Sequence, residues 1–244
     1  MGIVADEMLQ ELSRRVIVAA DFGSRQEALA LAGALAGSGC WLKIGLELFT
    51  ACGPSILHEV RELGFPVFLD LKLHDIPNTV ERTVKVLAGH GVELINVHCS
   101  GGYEMMARAA EAAAKARQGG PGQSGTKVIG VTVLTSMTEE RLQADLGVQR
   151  RLEEHVVELA RLAQKAGLDG VVASAREVAA LREACGSKFI LVTPGIRAGI
   201  IAGDDQARTC TPEEALAAGS SYLVVGRPVT RAANPRAALA SLWD

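Results

Sequence analysis

Short runs of apolar, mostly β-branched residues recur along the chain, and longer stretches rich in Ala and Leu separate them. Runs of this length and composition are typical of buried strands. We place eight of them, at residues 16–20, 41–46, 66–70, 92–98, 127–134, 170–173, 189–193 and 222–225. The pattern therefore predicts eight strands with longer elements between them.

The intervening stretches carry apolar residues at helical spacing. Val80, Val84 and Leu87 lie at i, i+4 and i+7 after the third run, and residues 152–162 repeat the pattern before the sixth. Strands that alternate with helices indicate an all-parallel sheet of the α/β class. Eight strands favour a closed (β/α)8 TIM barrel over a doubly wound open sheet, since no G-x-G-x-x-G follows the first run.

The chain shows no strong domain boundary, so we expect residues 1–244 to form a single barrel domain. Its 244 residues are close to the roughly 250 that such a barrel typically needs. Residues 1–15 carry three carboxylates and no apolar core of signal-peptide length, and we predict a leading helical segment there. The Gly-rich stretch 118–125 is predicted to be a connector on the N-terminal face.

Composition excludes several classes of function. A net charge of -3, a pI near 6.0 and only 4% aromatic residues argue against nucleic-acid binding. No stretch reaches the ~18 unbroken apolar residues of a membrane helix. Five widely spaced cysteines without a C-x-x-C motif indicate reduced thiols in a cytoplasmic protein, and the five histidines show no metal-ligand spacing with them.

Polar residues follow the predicted strands, although strand interiors are apolar. In a barrel these strand ends share one face, which carries the active site. Each residue has a structural alternative: Asp21 could cap a helix, Thr135 or Ser136 could cap the helix near Thr138, and His98 could simply pack in the core. Together they indicate a site built from the following residues: Asp21, Lys43, Asp70, Lys72, Thr135, Ser136, Arg197, Gly226 and Arg227.

The segment Asp70-Leu71-Lys72-Leu73-His74-Asp75 is the most informative of these motifs. Side chains on a strand alternate faces, so Asp70 and Lys72 are expected to point the same way. A salt bridge at a strand end is the structural alternative. Paired carboxylates in a cleft can also hold a lysine charged for chemistry.

Gly226-Arg227-Pro228 suits a phosphate, because a helix start offers free N–H groups and the arginine adds charge. An ordinary turn with a surface arginine is the alternative. Residues 197–211 form a long loop with two glycines and a polar tip, which predicts a lid over that phosphate.

These residues together resemble the orotidine 5'-phosphate decarboxylase family. The motifs that carry the resemblance are Lys43-Ile44-Gly45, the D-x-K-x-x-D element with Ile76-Pro77-Asn78-Thr79, Leu134-Thr135-Ser136, Pro194-Gly195-Ile196-Arg197, Asp204-Asp205-Gln206 and Gly226-Arg227-Pro228. They run nearly end to end. The resemblance implies a (β/α)8 barrel that acts on orotidine 5'-phosphate as a homodimer, without cofactor or metal.

The resemblance also implies a role for each matching residue. Asp70 and Lys72 would come from one subunit and Asp75 with Thr79 from the other. Asp21 and Lys43 would contact the ribose, and Thr135 and Ser136 would lie near the pyrimidine. The phosphate would be held by Arg197, Gln206, Gly226 and Arg227.

In that reading, Lys72 would stabilise the anion left by departing CO2 and then donate the proton that yields UMP. Two alternatives stay open. A related barrel enzyme uses D-x-K-x-x-D to hold Mg²⁺ and an enediolate of a sugar phosphate. A nucleotide-phosphate-binding barrel could also retain the cavity without chemistry.

Overall fold

A computed structural model describes residues 10–117, 125–197 and 210–243. Eight parallel strands close into a barrel in chain order, so the predicted (β/α)8 fold is confirmed. The strands are β1 (Val16–Ala19), β2 (Trp41–Gly45), β3 (Val67–Leu73), β4 (Leu94–His98), β5 (Lys127–Val131), β6 (Gly170–Val172), β7 (Ile190–Thr193) and β8 (Tyr222–Val225). The helices are α1 (Arg25–Leu35), α2 (Leu46–Cys52), α3 (Ser55–Glu62), α4 (Pro77–Ala88), α5 (Gly102–Arg117), α6 (Glu139–Leu146), α7 (Leu152–Lys165), α8 (Val178–Cys185), α9 (Pro212–Ala218), α10 (Arg227–Thr230) and α11 (Pro235–Ala240).

Every predicted run contains a strand, but several ends differ. β3 continues through Lys72 to Leu73, so the charged residues lie within a strand and not after it. β5 ends at Val131, three residues earlier than predicted. Thr138 is the N-cap of α6, since its Oγ1 accepts the Arg141 N–H at 3.3 Å. Capping of that helix by Thr135 or Ser136 is therefore wrong.

The inner and outer faces of the barrel follow from strand alternation. Two apolar clusters pack the strands against the surrounding helices, and a third fills the barrel interior. The third cluster contains Ile17, Ala19, Phe68, Leu94, Ile129, Val192 and Val224, with Trp41 packed against it. On β2, β3 and β4, the next inward-facing side chain comes two residues later. These side chains are Lys43 after Trp41, Asp70 after Phe68 and Asn96 after Leu94. Alternation thus aims three polar side chains into the barrel mouth, above an apolar floor.

Three predicted segments are described only in part: the leading segment, the connector and the lid. Of the predicted leading segment 1–15, residues 10–13 are helical and residues 1–9 lie outside the described residues. Most of the predicted connector 118–125 and most of the predicted lid 197–211 also lie outside them. None of the helices in the described ranges is long and apolar enough to cross a membrane.

Candidate active site

A cavity of about 760 Å³ opens at the C-terminal ends of the strands. That volume suits a ligand of nucleotide size. The predicted site residues that line it are Asp21, Lys43, Asp70, Lys72, Thr135, Arg197, Gly226 and Arg227. The structure therefore brings together residues from six of the eight strand ends.

Lys43 lies between two carboxylates at the cavity floor. Its Nζ donates to Asp21 Oδ1 at 2.8 Å and is 3.2 Å from Asp70 Oδ2. Lys43 and Asp70 are both 8% exposed, whereas the Asp21 side chain is 57% exposed. A buried charge persists only when it is paired, so Lys43 and Asp70 each depend on the other.

The other oxygen of Asp70 holds Lys72. Lys72 Nζ donates to Asp70 Oδ1 at 2.7 Å, and one third of the Lys72 side chain is exposed toward the cavity. The four side chains thus alternate in charge along one line, from Asp21 through Lys43 and Asp70 to Lys72. Both ends of this line are accessible, and Lys72 is the accessible cationic end.

Burial and charge act in opposite directions on this network. Burial alone would raise the pKa of Asp70, but Lys43 and then Lys72 outweigh it, and the pKa lies below its ordinary value. Burial alone would lower the pKa of Lys43, but Asp70 and then Asp21 outweigh it, and the pKa lies above its ordinary value. The buried pair is therefore ionised at neutral pH.

Asp70 and Lys72 meet through a bulge and not through regular alternation. Leu69 pairs with Ile95 and Leu73 pairs with Val97, so β3 holds extra residues opposite β4. Lys72 has a φ of 51°, which no other non-glycine among the described residues shares in sign. The predicted contact between Asp70 and Lys72 is present. It arises from the bulge and not from the regular strand alternation on which the prediction was based.

Asn96 is a site residue that sequence reasoning missed. Its Nδ2 donates to Asp70 Oδ1 at 2.6 Å, and its Oδ1 accepts the backbone N–H of Lys72 at 2.8 Å. The side chain lines the cavity and is 1% exposed. A signal was available, since Asn96 stands two residues after the inward-facing Leu94 on a predicted strand.

Cationic groups that follow β7 and β8 also line the cavity. Arg197 follows β7, is 5% exposed and lines the cavity. Arg227, at the start of α10, lines the cavity too. Arg231 also lines it and was not predicted. Since α10 has only four residues, the arginines contribute more charge here than a helix terminus does.

Three predicted residues do not line this cavity, and a fourth lies outside the described residues. Ser136 is not among its lining residues. Asp75 and Thr79 are exposed, and Asp75 Oδ1 accepts the N–H of Ile76 at 2.6 Å, with no ion pair to either cavity lysine. Gln206 lies outside the described residues.

Comparisons with known proteins agree along nearly the whole chain. Residues 14–242 match the model of the orotidine 5'-phosphate decarboxylase / HUMPS family. A protein of Chromohalobacter salexigens named orotidine 5'-phosphate decarboxylase is 51% identical over 96% of this chain and 97% of its own. One of the same name from Neisseria meningitidis is 50% identical over 97% of this chain and 94% of its own.

Solved structures show the same likeness. The orotidine 5'-phosphate decarboxylase of Lactobacillus acidophilus superposes with a TM-score of 0.84 at 36% identity, over 94% of this chain and 97% of that one. An uncharacterized conserved protein from Geobacillus kaustophilus gives 0.82 at 42% identity, over 93% and 98%.

Proposed function

The chain belongs to the orotidine 5'-phosphate decarboxylase / HUMPS family, and from this premise we propose that Lys72 is the proton donor in a cofactor-free decarboxylation of orotidine 5'-phosphate to UMP and CO2. The family and its curated members make the chain a carboxy-lyase of pyrimidine biosynthesis. One observation carries the proposed mechanism: Asp70 is held between two lysines, and Lys72 is the more exposed of the two, with one third of its side chain accessible.

Direct loss of CO2 leaves an anion at carbon six of the pyrimidine, where no neighbouring carbonyl delocalises it. Enzymes lower barriers by up to about 23 kcal/mol in most cases, and this step needs a value near that limit. An ammonium fixed beside the developing anion stabilises it more as charge accumulates. The Lys72 ammonium does this and then transfers a proton to carbon six.

Asp70 has two functions in this mechanism. Its Oδ1 accepts a hydrogen bond from the Lys72 ammonium and aims it, and its Oδ2 pairs with Lys43. Lys43 also pairs with the exposed Asp21, and we assign both side chains to the ribose on the family resemblance. Thr135 lines the cavity on the side proposed for the pyrimidine, with Ser136 next to it in the chain.

We place the phosphate at Arg197, Gly226 and Arg227, which line the same cavity. Two guanidinium groups match the charge and geometry of a phosphate. Gripping a group remote from carbon six supplies binding energy that orients the ring over Lys72. We place Gln206 and the lid 197–211 in this site on the family resemblance.

We also propose that a second copy of the chain completes the site. Leu46, Ile76, Tyr103 and Leu134 follow four different strands at the cavity end of the barrel and are 43–67% exposed. Exposed apolar groups around one rim are typical of an interface. Asp75 and Thr79 follow β3 at the same rim, are exposed and do not line their own cavity, which supports their contribution to the cavity of a partner.

The Mg²⁺-dependent alternative fits the donor set poorly. Both oxygens of Asp70 are already paired with lysines, and no group of three His, Cys, Asp or Glu side chains suited to a metal is found among residues 10–117, 125–197 and 210–243. The five cysteines are free, which agrees with the cytoplasmic location that we propose.

The test is to incubate purified, metal-stripped protein with orotidine 5'-phosphate in EDTA and to follow UMP absorbance. UMP formation that EDTA does not reduce is expected. Turnover of a sugar phosphate that requires Mg²⁺, without UMP formation, would favour the metal enzyme. Binding of UMP without turnover would favour the non-catalytic barrel.

A further inference from the structure

We propose that Asn96 is a positioning residue that sets the place and charge of the Asp70–Lys72 pair. This inference rests on the proposed function, because it concerns the same cavity. Asn96 is on β4, whereas Asp70 and Lys72 are on β3, so its role is to hold one strand's charged pair from the neighbouring strand.

The bulge in β3 creates the need for such a residue. Between Leu69, which pairs with Ile95, and Leu73, which pairs with Val97, three residues of β3 face a single residue of β4. That single residue is Asn96. The backbone groups of one residue cannot form hydrogen bonds with those of three residues. A side chain therefore has to supply some of the hydrogen bonds that a regular sheet would provide.

The side-chain amide of Asn96 supplies two of these hydrogen bonds, one from its oxygen and one from its nitrogen. Its Oδ1 accepts the Lys72 N–H at 2.8 Å, and its Nδ2 donates to Asp70 Oδ1 at 2.6 Å. Chemistry determines this orientation, because a backbone N–H needs an acceptor and a carboxylate needs a donor. The first bond supports the left-handed backbone of Lys72, which is unfavourable for a residue with a side chain.

The second bond distinguishes positioning from a purely structural role. Asp70 Oδ1 is also the oxygen that holds Lys72 Nζ, at 2.7 Å. One amide therefore constrains both the backbone of Lys72 and the atom to which its ammonium is tied. At 1% exposure, Asn96 has no water to exchange for these partners, so its removal leaves both of them short of a bond.

Two variants test the inference. Asn96→Ala removes the amide, and Asn96→Leu removes it while nearly keeping the volume, which covers the case in which the alanine variant folds poorly. We expect kcat for orotidine 5'-phosphate to fall about 10- to 100-fold, the size found for supporting groups behind metal ligands. KM should change little, because Asn96 lies away from the proposed phosphate site.

The pH profile gives a readout that a structural role would not change. Loss of the Nδ2 donor raises the pKa of Asp70, so the acidic limb of kcat/KM should move to higher pH. The other charged and titratable groups that face Asp70 are Lys43 on β2, Lys72 on β3 and His98 on β4, and the variants keep all three.

Thr126→Val is the matched control. Thr126 is also 1% exposed, and its Oγ1 donates to the Val92 carbonyl at 2.7 Å just before β5, at the opposite end of the barrel. This variant loses a buried hydrogen bond and should keep both kcat and the acidic limb.

An unchanged kcat, or a lower kcat with an unmoved acidic limb, would overturn the inference. If the unsubstituted protein itself made no UMP, the proposed function would fail separately. The Asp70 carboxyl can then be titrated by ¹³C NMR in Asn96→Leu. A pKa equal to that in the unsubstituted protein would overturn the role of Asn96 without any assay of turnover.

Discussion

At the residue scale, the site depends on a line of four alternating charges. Lys43 and Asp70 are the buried members, and each has an 11% exposed side chain. Removing one member of such a pair is costly because it leaves an unpaired buried charge. The pair therefore connects the stability of the barrel to the ionisation of its active site.

Lys43→Met should reduce the free energy of unfolding by about 3 kcal/mol at pH 7. Asp70, with a lowered pKa, stabilises the fold above its ordinary pKa of 3.8 and loses this as the pH falls. Lys43, with a raised pKa, stabilises the fold below its ordinary pKa of 10.5 and loses this as the pH rises beyond its folded value. The deficit of the variant should thus be largest between these limits.

Urea unfolding across the pH range measures that deficit. Lys115→Met is the control, since Lys115 forms an exposed ion pair with Glu111 and should leave stability unchanged. A deficit of equal size at every pH would show that Lys43 stabilises the barrel by packing and not by charge.

At the element scale, strand alternation explains most of the site and the bulge explains the rest. Inward-facing positions on β2 and β3 place Lys43 and Asp70 in the cavity, which the sequence pattern predicts. The bulge at Lys72 was not predictable, because Asp-Leu-Lys-Leu alternates as a regular strand does. The bulge is visible in the register of β3 with β4 and in the positive φ of Lys72. The same register shows the role of Asn96.

Gly45→Ala tests how closely the end of β2 fits the charge line. A Cβ at Gly45 would lie 3.1 Å from Lys43 Nζ and 3.2 Å from Asp21 Oδ1. Lys43 is tied at both sides and has to shift, so kcat/KM should fall about tenfold, in line with the sensitivity of catalysis to small displacements. Steady-state kinetics measure this.

Gly33→Ala is the matched substitution on α1. A Cβ there meets nothing within 4 Å, and alanine in a helix interior is worth about 0.5–1 kcal/mol over glycine. This variant should be more stable and equally active. Equal activity of Gly45→Ala would mean that the end of β2 adapts to the methyl group.

Arg227→Ala tests the proposed phosphate side. Arg227 begins α10 and lines the cavity. Its loss should weaken substrate binding and leave the fold intact. We expect KM to rise and kcat/KM to fall by about 100-fold, near the value of a charge-assisted bond. An unchanged kcat/KM would remove Arg227 from the phosphate site.

At the scale of the whole molecule, the residues alone were enough to predict the barrel, whereas the proposed homodimer rests on the family resemblance. Eight β-branched runs and the missing G-x-G-x-x-G were enough for the fold. Asp75 shows the limit, because it stands five residues after Asp70 in one motif yet is exposed and does not line the cavity. No pattern within one chain distinguishes a residue that serves its own site from one that serves a neighbour's.

Mixing two inactive variants tests the shared site. Lys72→Ala and Asp75→Asn should each lose turnover. In a mixed dimer one site keeps both residues, and random pairing at equal amounts restores about a quarter of all sites. Activity is measured after subunit exchange, which mass-labelled chains verify. No recovery in mixtures shown to contain mixed dimers would place Asp75 with its own chain.

The most direct test of the central claim is turnover of orotidine 5'-phosphate by Lys72→Ala beside the unsubstituted protein, both in EDTA and both shown to be folded. We predict UMP formation by the unsubstituted protein and loss of nearly all of it in the variant. If the variant kept activity within about tenfold, a difference of about 1.4 kcal/mol, Lys72 would not be the proton donor.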